Sequence, residues 1–393
     1  MIDVIFFISN QRIGAIRPDG SDECYPEFTE PNQVYWQLMT VLPDGKQAVL
    51  WSQEPQRNPK ADYDDKDGLA FATSHLWRYD FVSGALKEIN LPSLYGVAGV
   101  MPGGERLLFN GNIDNVVHIF TSDLDGGDRD YLYTGPGYAY GTSRSPDGSK
   151  VAHHITNVPG KPGYQIYVID VQTKERTLIA DDPEYIFFAP AWSPDNQWLV
   201  YVRCAYRQFP GHERADICIS RADGSEHREL TTGNQHCFGV AYGPPGNVGG
   251  GSNGSAWSPD GRWVTYTRCL PGARGPWEYQ PDRPNRDHFN AEYKPELARG
   301  GTEICLINPQ TGETTAITHD DPPTWNFHAG WSPDAAHLAF CRAAVGCVGE
   351  FWVMDVDGGN QRFLTRGLNA TGADHFRWFR LADSSWEQGA WRK

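Results

Sequence analysis

The sequence predicts an all-β protein, a seven-bladed β-propeller of four-stranded blades forming one domain over residues 1–393, its ring closed by the C-terminal strand together with N-terminal strands. Three observations carry this expectation. A short turn phrase recurs along the chain, strand-like segments follow it at regular spacing, and the C-terminal segment repeats only the first element of a unit. The composition agrees: 42 glycines, 28 prolines and 14 tryptophans in 393 residues suit many short strands joined by tight turns.

The phrase reads Ser145-Pro146-Asp147-Gly148, Ser193-Pro194-Asp195-Asn196, Ser258-Pro259-Asp260-Gly261 and Ser332-Pro333-Asp334-Ala335, with weaker copies at Leu42-Pro43-Asp44-Gly45 and Met101-Pro102-Gly103-Gly104. Proline presets φ and Asp or Gly tolerates the turn geometry. Each copy leads into a β-rich second strand, as in Trp198–Arg203, Trp263–Arg268 and Leu338–Arg342. Third strands such as Ile166–Asp170 and Ile304–Asn308 end in further turns, and short fourth strands such as Arg176–Ile179 and Arg362–Thr365 close the unit. Four strands every ~40–50 residues is propeller periodicity. Six units start near residues 35, 94, 138, 186, 253 and 326. The tail Asp374–Leu381 reads as a seventh inner strand, and Val4–Ile8, Arg12–Ile16 and Glu23–Phe28 supply its partners. Pairing the two ends removes the edges an open ring would expose.

Composition also excludes function classes. A net charge of −15 argues against a nucleic-acid binder, which needs a basic face. No stretch approaches the ~20 apolar residues of a membrane helix. The start lacks a basic n-region, so a cytoplasmic protein is expected. The eight cysteines form no CxxC pair and are expected to be reduced core residues. No obligate protein partner is evident.

The repeats resemble those of TolB-type propellers, and in length and lack of a companion domain the chain resembles the oligogalacturonate lyases. Gly250-Gly251-Ser252-Asn253-Gly254 matches Gly-x-Ser-x-Gly by letters, but it lies in a glycine-rich loop without a nucleophile elbow's strand-turn-helix context. The lyase resemblance implies cleavage of uronic-acid glycosides by β-elimination. It also implies a divalent metal, manganese first with zinc or calcium open, bound by histidines three residues before the aromatic of the Ser-Pro-Asp motif. His328 and His375 occupy that slot. Ala189 stands where the family places its base, and Gly254 where it places a metal histidine.

Two insertions, 233–253 and 269–301, are expected on one face, where long loops on a rigid scaffold concentrate function. Arg203, Arg268 and Arg342 close the second strands of three consecutive blades and suggest an anion-binding mouth, since a guanidinium fork matches a carboxylate. The alternative is pairing with local carboxylates such as Glu213 and Asp216. The lyase reading casts Arg203 and Arg268 as carboxylate holders, with His288 or Tyr279 as the base. His328, His375 and His236 form its metal set. Arg207, Arg274, Arg342 and His154 contact an anionic oligosaccharide, and Trp277 stacks on a sugar. Alternation lets only one of His153 and His154 face the mouth. Two rival readings are a non-catalytic propeller binding a protein or glycan and a glycoside hydrolase using two carboxylates.

Overall fold

The Ser-Pro-Asp phrase folds into one self-bonded turn, repeated. Ser145 Oγ donates to Asp147 Oδ1 at 2.6 Å and accepts the Lys150 N–H at 3.0 Å. Ser193, Ser258 and Ser332 do the same with Asp195, Asp260 and Asp334 and with the N–H groups of Trp198, Trp263 and His337. All four serines are buried. The motif's chemistry is therefore structural: it pins each first strand to its second.

The computed structural model describes residues 1–9, 12–28, 30, 33, 35–54, 74–91, 95–205, 214–241, 250–252, 254–279, 291–322, 324–368 and 376–392. These form a succession of antiparallel sheets in chain order. Sheet 1 holds Tyr35–Val41, Gln47–Gln53, Ser74–Asp80 and Leu86–Glu88; sheet 2 holds Tyr95–Val100, Arg106–Ile113, Val116–Asp123 and Asp130–Pro136. Sheet 3 holds Tyr138–Arg144, Lys150–Thr156, Tyr164–Asp170 and Arg176–Ala180; sheet 4 holds Tyr185–Trp192, Trp198–Ala205, Arg214–Arg221 and Arg228–Glu229. Sheet 5 comprises Ala256–Trp257, Val264–Cys269, Thr302–Ile307 and Thr314–Ala316, and sheet 6 Thr324–Trp331, His337–Ala344, Gly349–Asp355 and Arg362–Leu368. The short strand His236–Cys237 pairs with both Arg214–Arg221 and Val264–Cys269, joining sheets 4 and 5.

The core lies between neighbouring sheets. Ile166 and Val168 of sheet 3 pack on Phe187, Leu199 and Tyr201 of sheet 4, and comparable clusters fill the other junctions. Each such side chain contributes roughly 1.5–3 kcal/mol. The first strands also touch one another in order, and Phe376–Leu381 touches both Thr324–Trp331 and Tyr35–Val41. A side-chain bond recurs at successive junctions. Trp192 Nε1 donates to Ser143 O at 3.1 Å, Trp257 Nε1 to Ala191 O at 3.3 Å, and Trp331 Nε1 to Ala256 O at 3.3 Å. Arg144 Nε fills this role toward Val100 O. The residue before each Ser-Pro-Asp turn, a tryptophan in three sheets and Arg144 in the fourth, thus ties its sheet to the one before it.

Sheet 7 is built from both ends of the chain. Ile2–Ser9 pairs with Phe376–Leu381 on one side and with Arg12–Ile16 on the other. The expected strand Glu23–Phe28 does not form; only an isolated bridge between Ala15 and Cys24 remains. Continuing that register sets Pro26 opposite Ile13, and proline has no N–H for the ladder. After Leu381 the chain adds a short helix, Asp383–Glu387, which lay outside the sequence reading. Trp386 and Trp391 of this tail are buried, and Trp391 packs 5.6 Å from Phe6 and 5.5 Å from Phe81. Ala382 N bonds Gly45 O at 3.0 Å and Ala390 N bonds Phe81 O at 3.0 Å, so the tail joins sheet 7 to sheet 1. Gly45 has φ +67°, and a Cβ there would lie 2.5 Å from Ala382 N, so this crossing requires glycine.

Candidate functional site: the inner strands and their rim

Each inner strand of sheets 1, 2, 3, 4 and 6 carries a register shift at its middle, between Phe188 and Ala191 or between Phe327 and Gly330, for example. The slot three residues before the aromatic lies in that bulge. Gly141, Ala189 and His328 hold it at φ 52°, 53° and 52°. Left-handed backbone costs a non-glycine residue roughly 1–2 kcal/mol. Ala189 bears that cost with no chemistry to offer, so the conformation belongs to the scaffold, and only the side chain at 328 distinguishes that position. His328 is half-buried by surface area, yet enough protein surrounds its ring for burial to pull its pKa to about 4. The neighbouring slots are closed by small residues: a Cβ on Gly254 would touch Ala189 Cβ at 4.0 Å.

His153 and His154 alternate as expected, one to each side of sheet 3. His153 stacks between Tyr133 and Tyr167, and burial holds its pKa well below the usual value. His154 points toward sheet 4. Its Nδ1 accepts the Ala189 N–H at 3.3 Å, its ring stacks on Tyr164, and burial pulls its pKa to about 3. A Cβ on Gly141 would lie 2.7 Å from that Nδ1. His154 is thus a buried acceptor that caps the neighbouring bulge.

The three strand-end arginines each meet a carboxylate. Arg203 Nη1 bonds Glu229 at 2.5 Å and lies 3.9 Å from Asp216. Arg268 bonds Glu303 at 2.7 Å. Arg342 bonds Asp320 and Gln361 at 2.8 Å each and Asn326 at 2.9 Å. Of the carboxylates named as alternative partners, Asp216 stands 3.9 Å from Arg203 and Glu213 lies outside the described residues; the close partners are Glu229, Glu303 and Asp320. Asp216 and Glu303 are the cross-strand register partners of Arg203 and Arg268, which places opposite charges within reach without any ligand. In the second insertion, Arg274 and Lys294 both bind Glu278 across the hairpin of Trp277–Tyr279 and Ala291–Tyr293. Trp277 and Tyr279 are described by backbone alone. Arg207, His288 and His375 lie outside the described residues.

His236 was expected on a loop as a metal ligand. It is fully buried in the strand that joins sheets 4 and 5, with Nδ1 3.1 Å from Thr267 O. Among the described residues, no three His, Cys, Asp or Glu side chains converge to hold a metal ion. The slots at 189 and 254 offer a methyl group and a hydrogen, so the described donors do not fit a manganese centre of the expected kind.

One residue that the sequence reading passed over stands out. The position before the motif aromatic is Thr40, Gly99, Ser143, Ala191, Ala256 and Gly330 in sheets 1 to 6, all small and part-exposed. In sheet 7 it is Arg377, which is exposed. Among the described residues its one hydrogen bond is Nη1 to Met39 O at 3.5 Å, and no carboxylate pairs with it. The signal was present in the repeat, because an alignment on the aromatic sets Arg377 against six small residues.

The fold and this site can now be set beside known proteins. No profile of a known protein family matches the chain. It is 26% identical over 211 residues to an uncharacterised protein of Agrobacterium fabrum strain C58, covering 53% of this chain and 67% of that one. It is similar in structure to an oligogalacturonate lyase in complex with manganese, with TM-score 0.59 and 14% identity, covering 92% of this chain and 83% of that one. The β-propeller domain of the Trilobed protease of Pyrococcus furiosus gives TM-score 0.54 and 12% identity, covering 92% and 93%. TolB from Acinetobacter baumannii gives TM-score 0.46 and 14% identity, covering 88% and 82%. The chain is thus an all-β protein whose structural neighbours include an oligogalacturonate lyase and the β-propeller domain of a protease.

Proposed function

We propose that the chain is a closed seven-bladed propeller that binds an anionic, uronic-acid-type oligosaccharide at the mouth of its axis, with Arg377 receiving the carboxylate. The observation that carries this reading is the exposed guanidinium of Arg377, with no carboxylate partner among the described residues, at a position where six other inner strands hold small residues. Small residues leave room on the axis, and an exposed cation there supplies charge complementarity. The paired state of Arg203, Arg268 and Arg342 removes them as competing anion sites. The cycle of contacts among the first strands supports the ring.

Calorimetric titration of the full chain with a galacturonate trimer, against maltotriose as a neutral control, tests the reading. A charge-assisted hydrogen bond contributes about 1.5–3 kcal/mol, so Arg377→Gln weakens uronate binding by roughly ten- to a hundred-fold. Equal affinity for the two sugars, or an unchanged affinity in Arg377→Gln, overturns it.

A second reading, uronate cleavage by β-elimination, is favoured by His328, the described histidine in the bulge slot. A base there must reach the C5 proton while a cation neutralises the charge building on the carboxylate. Burial keeps the His328 imidazole neutral at neutral pH. Absorbance of an unsaturated product during incubation with uronate oligosaccharides supports cleavage, and binding without absorbance leaves the protein a glycan-binding propeller.

A further inference from the structure

Sheet 7 leaves its fourth lane incomplete, and a solvent-open cavity of about 250 Å³ stands there, near the lower bound of small-molecule sites. Ile13, Pro26, Phe28 and Trp36 line it, and the exposed ion pair of Arg12 with Glu27, at 3.3 Å, forms its polar side. Phe28 and Trp36 pack on each other with ring centroids 4.8 Å apart. The backbone of Arg12–Ile16 adds hydrogen-bonding groups to this wall, because alternate residues of a strand turn N–H and C=O to the same edge. Ala15 uses the outer edge to exchange two bonds of 2.9 Å with Cys24, and Arg17 follows with bonds to Ser21 and Gly20. Ile13 presents its N–H and C=O along that edge too. Neither has a partner among the described residues: Pro26 has no N–H to give, and its carbonyl does not take the Ile13 N–H. Ile13 is 2% exposed, and buried backbone groups are nearly always paired.

A donor and an acceptor side by side, beside an aromatic wall, select a particular chemistry. A whole added peptide strand does not fit, because Cys24 already holds Ala15. A sugar brings more hydroxyl groups than this largely apolar wall can pair. A nucleobase has a donor and an acceptor adjacent on one edge and flat faces that stack on aromatic rings. Glu27 balances the charge of Arg12, which favours an uncharged ligand. We infer that this cavity binds a purine nucleoside, the amino group and neighbouring ring nitrogen of the base pairing with the C=O and N–H of Ile13 and the ring packing on Phe28 and Trp36. Arg377 takes no part in this wall, so nucleoside binding and uronate binding are separate properties.

The test is calorimetric titration of the full chain with adenosine, with purine riboside, which lacks the amino group, and with ribose. The expected result is that adenosine binds roughly ten-fold more tightly than purine riboside, since loss of the amino group leaves the Ile13 C=O unpaired, and that ribose does not bind. Hydrogen exchange of the native chain gives a second readout: adenosine slows exchange in the segment that holds the Ile13 amide, and ribose leaves it unchanged. Phe28→Ala weakens adenosine by roughly ten-fold, because it removes a stacking face, and a cooperative urea transition verifies that the variant is folded. If that variant does not fold, exchange in the native chain still decides. Equal affinity for adenosine and purine riboside, ribose binding as tightly as adenosine, or adenosine binding without protection of the Ile13 segment overturns the site, and so does the absence of adenosine binding.

Discussion

Lowering the pH from about 8 to about 5 tests whether His154 is the buried acceptor that its geometry describes. Its Nδ1 receives the Ala189 N–H, so the ring is neutral there, and a proton on Nδ1 would set two N–H groups against each other at 3.3 Å. Burial pulls the folded-state pKa from 6.5 to about 3. The sign follows from linkage: the unfolded chain takes the proton first, so stability is full above about pH 6.5 and falls as the pH drops toward the folded-state value. Each unit of that window is worth about 1.4 kcal/mol. His154 alone therefore removes about 2 kcal/mol by pH 5. His153, also depressed by burial, adds to the loss. His75 opposes it. Burial lowers its pKa, but Glu88 at 2.7 Å and Glu54 at 3.2 Å outweigh that and raise it, so its contribution is present at low pH and lost as the pH rises. A difference measurement isolates His154. Urea unfolding followed by tryptophan fluorescence at several pH values, for the native chain and His154→Gln, should give a native chain that loses about 2 kcal/mol more than the variant across the range. The glutamine amide oxygen can still accept the Ala189 N–H, so the variant folds. Parallel pH profiles refute the reasoning, because they mean that the ring takes its proton equally in both states.

The inter-sheet ties and the tail give two further predictions. Trp257→Phe removes the bond to Ala191 O and lowers stability by about 1 kcal/mol more than Trp378→Phe, whose indole has no acceptor, as read by urea unfolding. Trp391→Ala empties a site packed on Phe6 and Phe81 and costs roughly 3–5 kcal/mol, and it should combine non-additively with Gly45→Ala in a double-mutant cycle, because both act on the tail crossing.

Much of the fold was legible because the turn phrase has a local cause: serine, proline and aspartate close the turn among themselves, so four copies announced four strand pairs. Sheet starts near 35, 138, 186 and 326 follow directly. Pairing partners are not local. Nothing around Glu23–Phe28 shows that Pro26 will face Ile13, and the two-residue strand at His236–Cys237 is too short for any periodicity, so a core residue read as a loop ligand. The arginines at 203, 268 and 342 were visible as a repeat, but their meaning lay across the ladder in Asp216 and Glu303 and, for Arg342, in Asp320 of the loop before sheet 6. The slot histidines show the opposite limit. The slot itself was readable, while its left-handed backbone, shared by Ala189, proved to be a property of the bulge.

Repetition also explains why the candidate site falls where it does. In sheets 3 to 6 the residues before the Ser-Pro-Asp turn have fixed tasks: a small residue, then a donor to the preceding sheet. Those tasks leave little freedom for ligand chemistry. Sheet 7 ends in the tail instead of a Ser-Pro-Asp turn, and takes its second strand from the other end of the chain. Its inner strand is released from both tasks, and there the sequence carries a long cation, Arg377, and an indole, Trp378, with no acceptor among the described residues. The junction between sheets 7 and 1 still has to be held, and Trp391 of the tail holds it from outside the repeat, packed against Phe6 and Phe81.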